Sequence, residues 1–546
     1  MTGLPRFLLR LRPLPAFRHR RAFLRPAAGL LVSSLASLGA GAPARAQEVP
    51  RREAEETGAG RSPSFRWTLD STEDWQEAAA ESEGLRIEDG LALPEGKSAR
   101  LRSVVRRFER RLVPLVLVVE PSPLWENWIP VPNIGPSNLR DAPVLLNLGA
   151  EGLWMFGLYG EAKKREGFQA EPATLEGFEG PLWTTPFPDQ FDAPGGLQPG
   201  LGGYHAWQTR DLVHWVHHGP VTEAFSRWVT SAEAVDGRVY LYYDYPNDQD
   251  PHLYIDEDLR DGRPGRDLGL AFADPSDGSD AGVIRDLEGR FHLIYEDWTP
   301  INARKHSWDS PLAGHAVSED GLRGWRILPP AVDRRTRPTG ETGTYLHPHW
   351  TQHPDWDSNV ATYQVHEPEQ DAFGDWAAIG IGGRSWLFAD YEPVDGGIRL
   401  AWFTSPDLAT PFTLCGAMGK GHPDPDVAFF DGRFILVTQL EQDWVSPGPW
   451  VERVTARAGV DTDGDGALDA WTDWKELRET YRLRPGFSKQ VLREPASLDL
   501  QELPAGFGFA FELRLEDTTE NRSRPLLDRL EMRFAEGVQE GSSRRR

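Results

Sequence analysis

The sequence predicts an all-β fold, a five-bladed β-propeller with an accessory C-terminal β-sandwich and a short N-terminal β segment. Three observations predict it. A turn recurs as Thr209-Arg-Asp-Leu-Val-His-Trp215, Ser318-Glu-Asp-Gly-Leu-Arg-Gly-Trp325 and Ser405-Pro-Asp-Leu-Ala-Thr-Pro-Phe412. In each copy a short Asp closes the turn on nearby backbone N–H groups, while Leu and an aromatic pack beneath it. Repetition at intervals of roughly 90–110 residues, with strand-like runs between, is the mark of radial repetition. The second observation is a set of five units of one design, each an apolar strand, a tight turn and an aromatic strand. The third is composition: 54 Gly, 45 Pro and 21 Trp in 546 residues favour short strands and many turns over long helices.

In chain order, residues 1–46 read as an export signal of the twin-arginine type. Arg20-Arg21-Ala-Phe-Leu-Arg25 precedes a short apolar run from Ala27 to Leu38, and Ala44-Arg-Ala46 offers a small-x-small cleavage site. The run is too short to span a bilayer, so a periplasmic or secreted location is expected. Residues 47–61 are a polar linker and 62–124 an accessory β segment. The propeller is expected over 125–445. Its units open at Asp141, Ser231, Asp280, Asp375 and Asp424. Asp-Gly or Gly-Gly before Arg in three of them is a strong hairpin signal, because the turn needs positive φ. Residues 446–535 alternate as a sandwich with one wet face would, and 536–546 form a disordered tail.

Charge and cysteine content narrow the function. The formal charge is −24, yet residues 1–46 hold eight Arg and no acid, which leaves the rest of the chain near −32. So acidic a body repels nucleic acid and anionic membranes. The single cysteine, Cys415, excludes a disulfide framework and Cys-based zinc, and no organic cofactor is implied.

Chemistry is expected where blade-opening residues converge at one mouth of the channel. Four units begin with an aspartate: Asp141, Asp280, Asp375, and Asp424 or Asp426. Glycosidic hydrolysis needs a carboxylic acid to protonate the leaving oxygen and a carboxylate to activate water or attack. Crowded carboxylates in a dry cavity cannot all ionise, which raises at least one pKa. The Ser/Thr-x-Asp-Leu-x-x-Trp turn, so placed, resembles the five-bladed glycoside hydrolases of families 43, 117, 32 and 130. The resemblance covers roughly 125–440 and is confined to short motifs.

It implies an exported, inverting glycoside hydrolase acting on plant or algal polysaccharides or their oligosaccharides. By position the general base falls on Asp141, a tuning residue on Asp280 and the general acid on Asp375. That group has Glu at the last place, so His366 and Glu367 in Val365-His-Glu-Pro368 remain alternative acids. Resemblance to family 117 implies a histidine acid, which would be His366. His422 and Asp424 are expected near the axis, in contact with sugar or around a metal ion. Aromatic faces for sugar stacking are expected from Trp183, Tyr204, Trp207, Trp298, Trp308 and Trp376. A non-catalytic carbohydrate-binding propeller is the alternative. A phosphorolytic relative ranks lower, since Arg304-Lys305-His306 is the only compact cationic candidate.

Asp461-Thr-Asp-Gly-Asp-Gly-Ala-Leu-Asp469 has oxygen ligands at alternate positions and Gly for the bend. It predicts a structural calcium loop with Asp461, Asp463, Asp465 and Asp469 as side-chain ligands and Ala467 giving its carbonyl. Thr472 stands at the twelfth position in place of Glu, so the loop is similar to the short ones of thrombospondin-type repeats and dockerins.

Overall fold

Five sheets follow one another along the chain, each opened by a strand with apolar residues on both faces. The computed structural model describes residues 65–88, 91–121, 129–130, 135–136, 139, 143–159, 190–191, 203–212, 214–223, 228–245, 250–273, 278–297, 312–333, 338–344, 362–366, 371–393, 398–418, 424–438, 444–445, 453–516 and 527–536. The opening strands are Val144–Asn147, Trp228–Val235, Ser279–Arg285, Ala372–Ile381 and Asp426–Phe430. Each continues outward as an antiparallel meander of its own sheet. Each opening strand touches the next, and the last touches the first.

The apolar residues explain this arrangement. Strands buried on both faces read as continuous apolar runs, and each face fills the gap to one neighbouring sheet. One core joins Trp154, Phe156 and Tyr204 to Val239 and Tyr254 of the next sheet. Others join Tyr242 to Tyr295, Ile294 to Trp376 and Phe403, Trp402 to Phe429 and Phe434, and Ile435 to Trp207 and Trp215. Sheets stacked in this way form a propeller-like, all-β arrangement. Inner strands approach closely: a Cβ at Gly282 would lie 2.2 Å from the Trp376 carbonyl oxygen.

The turns form as their residues dictate. Asp236-Gly237, Asp431-Gly432 and Gly382-Gly383 all have positive φ, as two-residue hairpin turns require. The recurrent Asp turns join the third and fourth strands of their sheets. Asp407 accepts the N–H groups of Ala409 and Thr410 at 2.9 and 2.7 Å. Asp320 accepts those of Leu322 and Arg323 at 2.9 and 3.1 Å, and Asp211 that of His214 at 2.8 Å.

The N-terminal segment and the C-terminal region are not separate layers. Strands Ser98–Ser103 and Arg106–Pro121 pair with Gly506–Glu516 and Leu527–Glu536 in one sheet network. Leu101, Leu117, Val454, Phe511 and Phe534 share its core. Hydrogen bonds thus run continuously between the expected segment 62–124 and the expected region 446–535. Strands Gln490–Glu494 and Thr480–Leu483 leave this network and extend the fourth sheet, where Gln490–Glu494 pairs in parallel with Ala372–Ile381. Residues 1–46, the linker and the tail lie outside the described residues. Among the described residues no helix is long and apolar enough to cross a membrane.

Candidate active site

Three aspartates lie at or near the starts of successive inner strands in the same unusual backbone state. Asp280, Asp375 and Asp424 have φ of +48°, +52° and +40°. L-residues avoid this region, and Asp tolerates it better than most. Each kink is held by a carboxylate from the sheet before. Asp280 donates its N–H to Asp244 Oδ2 at 2.8 Å, Asp375 to Glu296 Oε1 at 3.3 Å, and Asp424 to Asp390 Oδ1 at 2.9 Å. Asp244, Glu296 and Asp390 are buried at or near the ends of second strands. Ser279 also donates to Glu296, at 3.1 Å. The fold thus repeats one device around its axis: a strand-end carboxylate clamps the next sheet's first aspartate and turns its side chain inward.

Carboxylate oxygens of Asp375, Asp390 and Asp424 all lie within 4.8 Å of one another. Asp280, Asp375, Asp424 and Asp426 line one small cavity with Trp228 and Thr230. Its roughly 20 Å³ holds about one water-sized sphere. Burial is the main reason that the Asp375 carboxyl lies well above the usual carboxylate range, and the charges of Asp424, Asp280, Asp390 and Glu296 raise it further. Asp375 therefore keeps its proton where an exposed carboxyl loses it, the property required of a general acid.

A cation lies deeper along the same strands. Lys489, only 2% exposed, donates to Ser231 Oγ at 3.1 Å and to the Val283 carbonyl at 3.0 Å. Ser488 donates to Glu233, and Gln490 to the Arg285 carbonyl at 2.6 Å. Burial raises the pKa of Glu233 and of Asp426, and the Lys489 charge opposes both shifts. A segment from the accessory network thus brings a counter-charge to the inner strands.

Of the sequence-predicted site residues, Asp280, Asp375 and Asp424 come together. Asp141, Glu367, Trp183, Trp298, Trp308 and His422 lie outside the described residues. His366 ends strand Thr362–His366, and its side chain is outside them too. Tyr204 and Trp207 are corrected: both are fully buried between sheets, with Trp207 stacked 4.6 Å from the His217 ring, so neither offers a face to sugar. Trp376 is 2% exposed and packs on Phe403, and it is among the residues that line the axial cavity. Trp228, Thr230 and Lys489 went unread, as did the clamping acids Asp244, Glu296 and Asp390. One signal was available for those acids, since each follows an apolar strand in Tyr-Tyr-Asp244, Ile-Tyr-Glu296 and Phe-Ala-Asp390.

The acidic loop of the accessory network folds around Asp461. This fully buried side chain accepts the Gly464 and Gly466 N–H groups at 2.7 and 2.8 Å. Carboxylate oxygens of Asp461, Asp463 and Asp469 lie within 4.8 Å of one another. Asp465 turns instead to the Ala467 N–H at 2.7 Å, and Arg107 donates to its carbonyl at 3.2 Å.

No family profile matches this sequence, and no curated protein does. Several solved structures are similar. One is titled a thermostable family-43 glycoside hydrolase (8% identity, TM-score 0.34, 69% of this chain and 98% of that one). Another is an endo-arabinase from Bacteroides thetaiotaomicron (10%, TM-score 0.34, 58% and 94%). A third is an α-L-arabinofuranosidase from Clostridium thermocellum (13%, TM-score 0.31, 65% and 95%). At such scores the chemistry has to be argued from the side chains.

Proposed function

We propose that this protein is an exported glycoside hydrolase that cleaves plant or algal polysaccharides or their oligosaccharides with inversion. The observation that carries this reading is the proton-retaining Asp375 set among Asp280, Asp424 and Asp390 at the meeting point of the inner strands. Its frame is a five-bladed propeller, a reading supported by the cycle of contacts among the five opening strands. Asp375 gives its proton to the departing glycosidic oxygen. A water attacks the anomeric carbon from the other face and passes its proton to a carboxylate, assigned to Asp141 by resemblance. Asp280 and Asp424, held inward by their clamps, keep the acid's pKa high.

Asp375→Asn tests this on a panel of oligosaccharides and aryl glycosides. Loss of a general acid lowers kcat/KM by about 10²–10⁴-fold. The loss is smaller on aryl glycosides, whose leaving groups need little protonation. Full activity of Asp375→Asn on oligosaccharides would refute the assignment, provided that its unfolding midpoint matches the parent.

We further propose that calcium occupies the loop at Asp461, Asp463 and Asp469, with carbonyls completing the shell. Oxygen donors on a glycine-bent loop suit a hard cation, and the convergence of three carboxylates supports it. Chelation should lower the thermal midpoint by several degrees, and added calcium should restore it. Asp463→Ala should abolish the response. An unchanged midpoint on chelation removes the proposal.

A further inference from the structure

The solvent face of the accessory sheet network carries a second arrangement of charge that the axial carboxylates do not use. Strands Ala79–Glu83, Ser98–Ser103 and Gly506–Glu516 lie side by side there. Their register sets Glu81 opposite Arg102 and Glu83 opposite Arg100. It also sets Arg102 opposite Glu512 and Arg100 opposite Arg514. The first row is neutralised. Glu512 receives Arg457 at 2.6 Å and Arg102 at 3.6 Å. The second row is not, because Arg100 and Arg514 are direct cross-strand neighbours of like charge, a pairing that disfavours folding. Neither makes an ion pair among the described residues.

Arg514 is nevertheless held in place. Its guanidinium lies 3.9 Å from the centre of the Trp474 ring, and Arg457 lies 4.8 Å from the same ring and 4.5 Å from that of Trp471. Gly459 lets Trp471 lie flat, since a Cβ there would come within 2.9 Å of the indole. Arg100, Arg514 and Trp474 line a cavity of about 380 Å³, with Glu81 and Glu83 also on its wall, a volume within the range of ligand pockets. Arg514, held on Trp474, and its cross-strand neighbour Arg100 present two guanidiniums to one anion. Carboxylates beside them accept hydroxyl protons and repel any ligand of dense negative charge. One anionic group among many hydroxyls is the chemistry that satisfies both.

We propose that this face binds an acidic saccharide, a sugar chain carrying a carboxylate or a sulfate ester, through Arg100 and Arg514. The site goes beyond the hydrolytic reading, and its test measures binding alone. The full-length protein, with Asp375→Asn introduced so that no probe is consumed, is titrated calorimetrically with three oligosaccharides of equal length. These are an oligogalacturonate, a sulfated galactan fragment and a neutral xylo-oligosaccharide. One of the acidic chains should bind, more weakly at higher salt, and which one binds identifies the anion. Arg100→Gln and Arg514→Gln should each weaken that binding about tenfold and leave any binding of the neutral chain unchanged. Arg100→Gln should keep or raise the thermal midpoint, because it relieves a like-charge pair. Absence of binding by both acidic chains overturns the proposal. So does acidic-chain binding that survives both substitutions, or a lowered midpoint in Arg100→Gln with binding intact, which would mark a purely structural role.

Discussion

At the scale of single residues, the decisive quantity is where each buried carboxyl holds its proton. Asp375 is raised by burial and then by its neighbours' charges, so kcat/KM should fall as pH rises past its elevated pKa, the acid form being the active one. Asp256 provides an independent check in which burial is the largest cause. It is 4% exposed, its Oδ1 accepts the Asp258 N–H at 2.8 Å, and its Oδ2 has no hydrogen-bond partner among the described residues. Burial pushes its pKa up to about 6. A carboxyl raised on folding takes up protons in the native state between the unfolded and folded values. Stability therefore declines as pH climbs from about 4 to about 6. Asp256→Asn keeps the turn and removes that decline. Denaturant titrations should show the variant gaining about 1–3 kcal/mol over the parent at pH 8 and little at pH 4. Equal gains at both pH values would show that ionisation is not the cause. Asp280, Asp375 and Asp424 were legible in sequence because each stands at the head of one of the repeated apolar units. Their clamps were not, because a strand-end acid looks the same whether it faces water or a neighbouring backbone N–H.

At the scale of elements, short-range signals survived and long-range ones did not. The Asp-Gly and Gly-Gly turns and the recurrent Asp turns depend on residues within five positions, and all formed as read. Tyr204 and Trp207 were misjudged because strand alternation cannot separate a face against solvent from one against the next sheet, and here both faces are buried. Lys489 shows the same limit. Nothing near Ser488-Lys489-Gln490 in sequence announces that it reaches Ser231 and Val283, more than 200 positions away. Lys489→Met tests that reach. It removes the buried charge that opposes the raised pKa of Glu233 and Asp426, and taking one charge out of such a buried cluster costs about 3–5 kcal/mol. The parent and variant should differ by that amount in chemical denaturation. A loss under 1 kcal/mol would show that the two acids simply take up protons.

At the scale of the whole molecule, the chain's two ends close on each other twice. Ile129–Pro130 pairs with Trp444–Val445 in the fifth sheet, so the first strand of the propeller-like body completes its last. Outside that body, Arg106–Pro121 pairs with Leu527–Glu536 and Gly506–Glu516. Between the two closures, residues 480–494 return to extend the fourth sheet and deliver Lys489. The accessory network is thus no detachable appendage. It shares a core between the chain's beginning and end and supplies a counter-charge to the inner strands. Chain ends this entangled should unfold with the body they enclose, because neither half of the shared core is buried without the other. A chain ending after residue 445 should lose Gly506–Glu516 and Leu527–Glu536 from around Arg106–Pro121 and lose the Lys489 charge that acts on Glu233 and Asp426. It should be recovered only as aggregate, or as a species without a cooperative thermal transition, whereas the full chain melts in a single step. A soluble, cooperatively melting 1–445 fragment that retains hydrolytic activity would mean that the inner strands hold themselves together, with Lys489 a passenger on a self-sufficient ring.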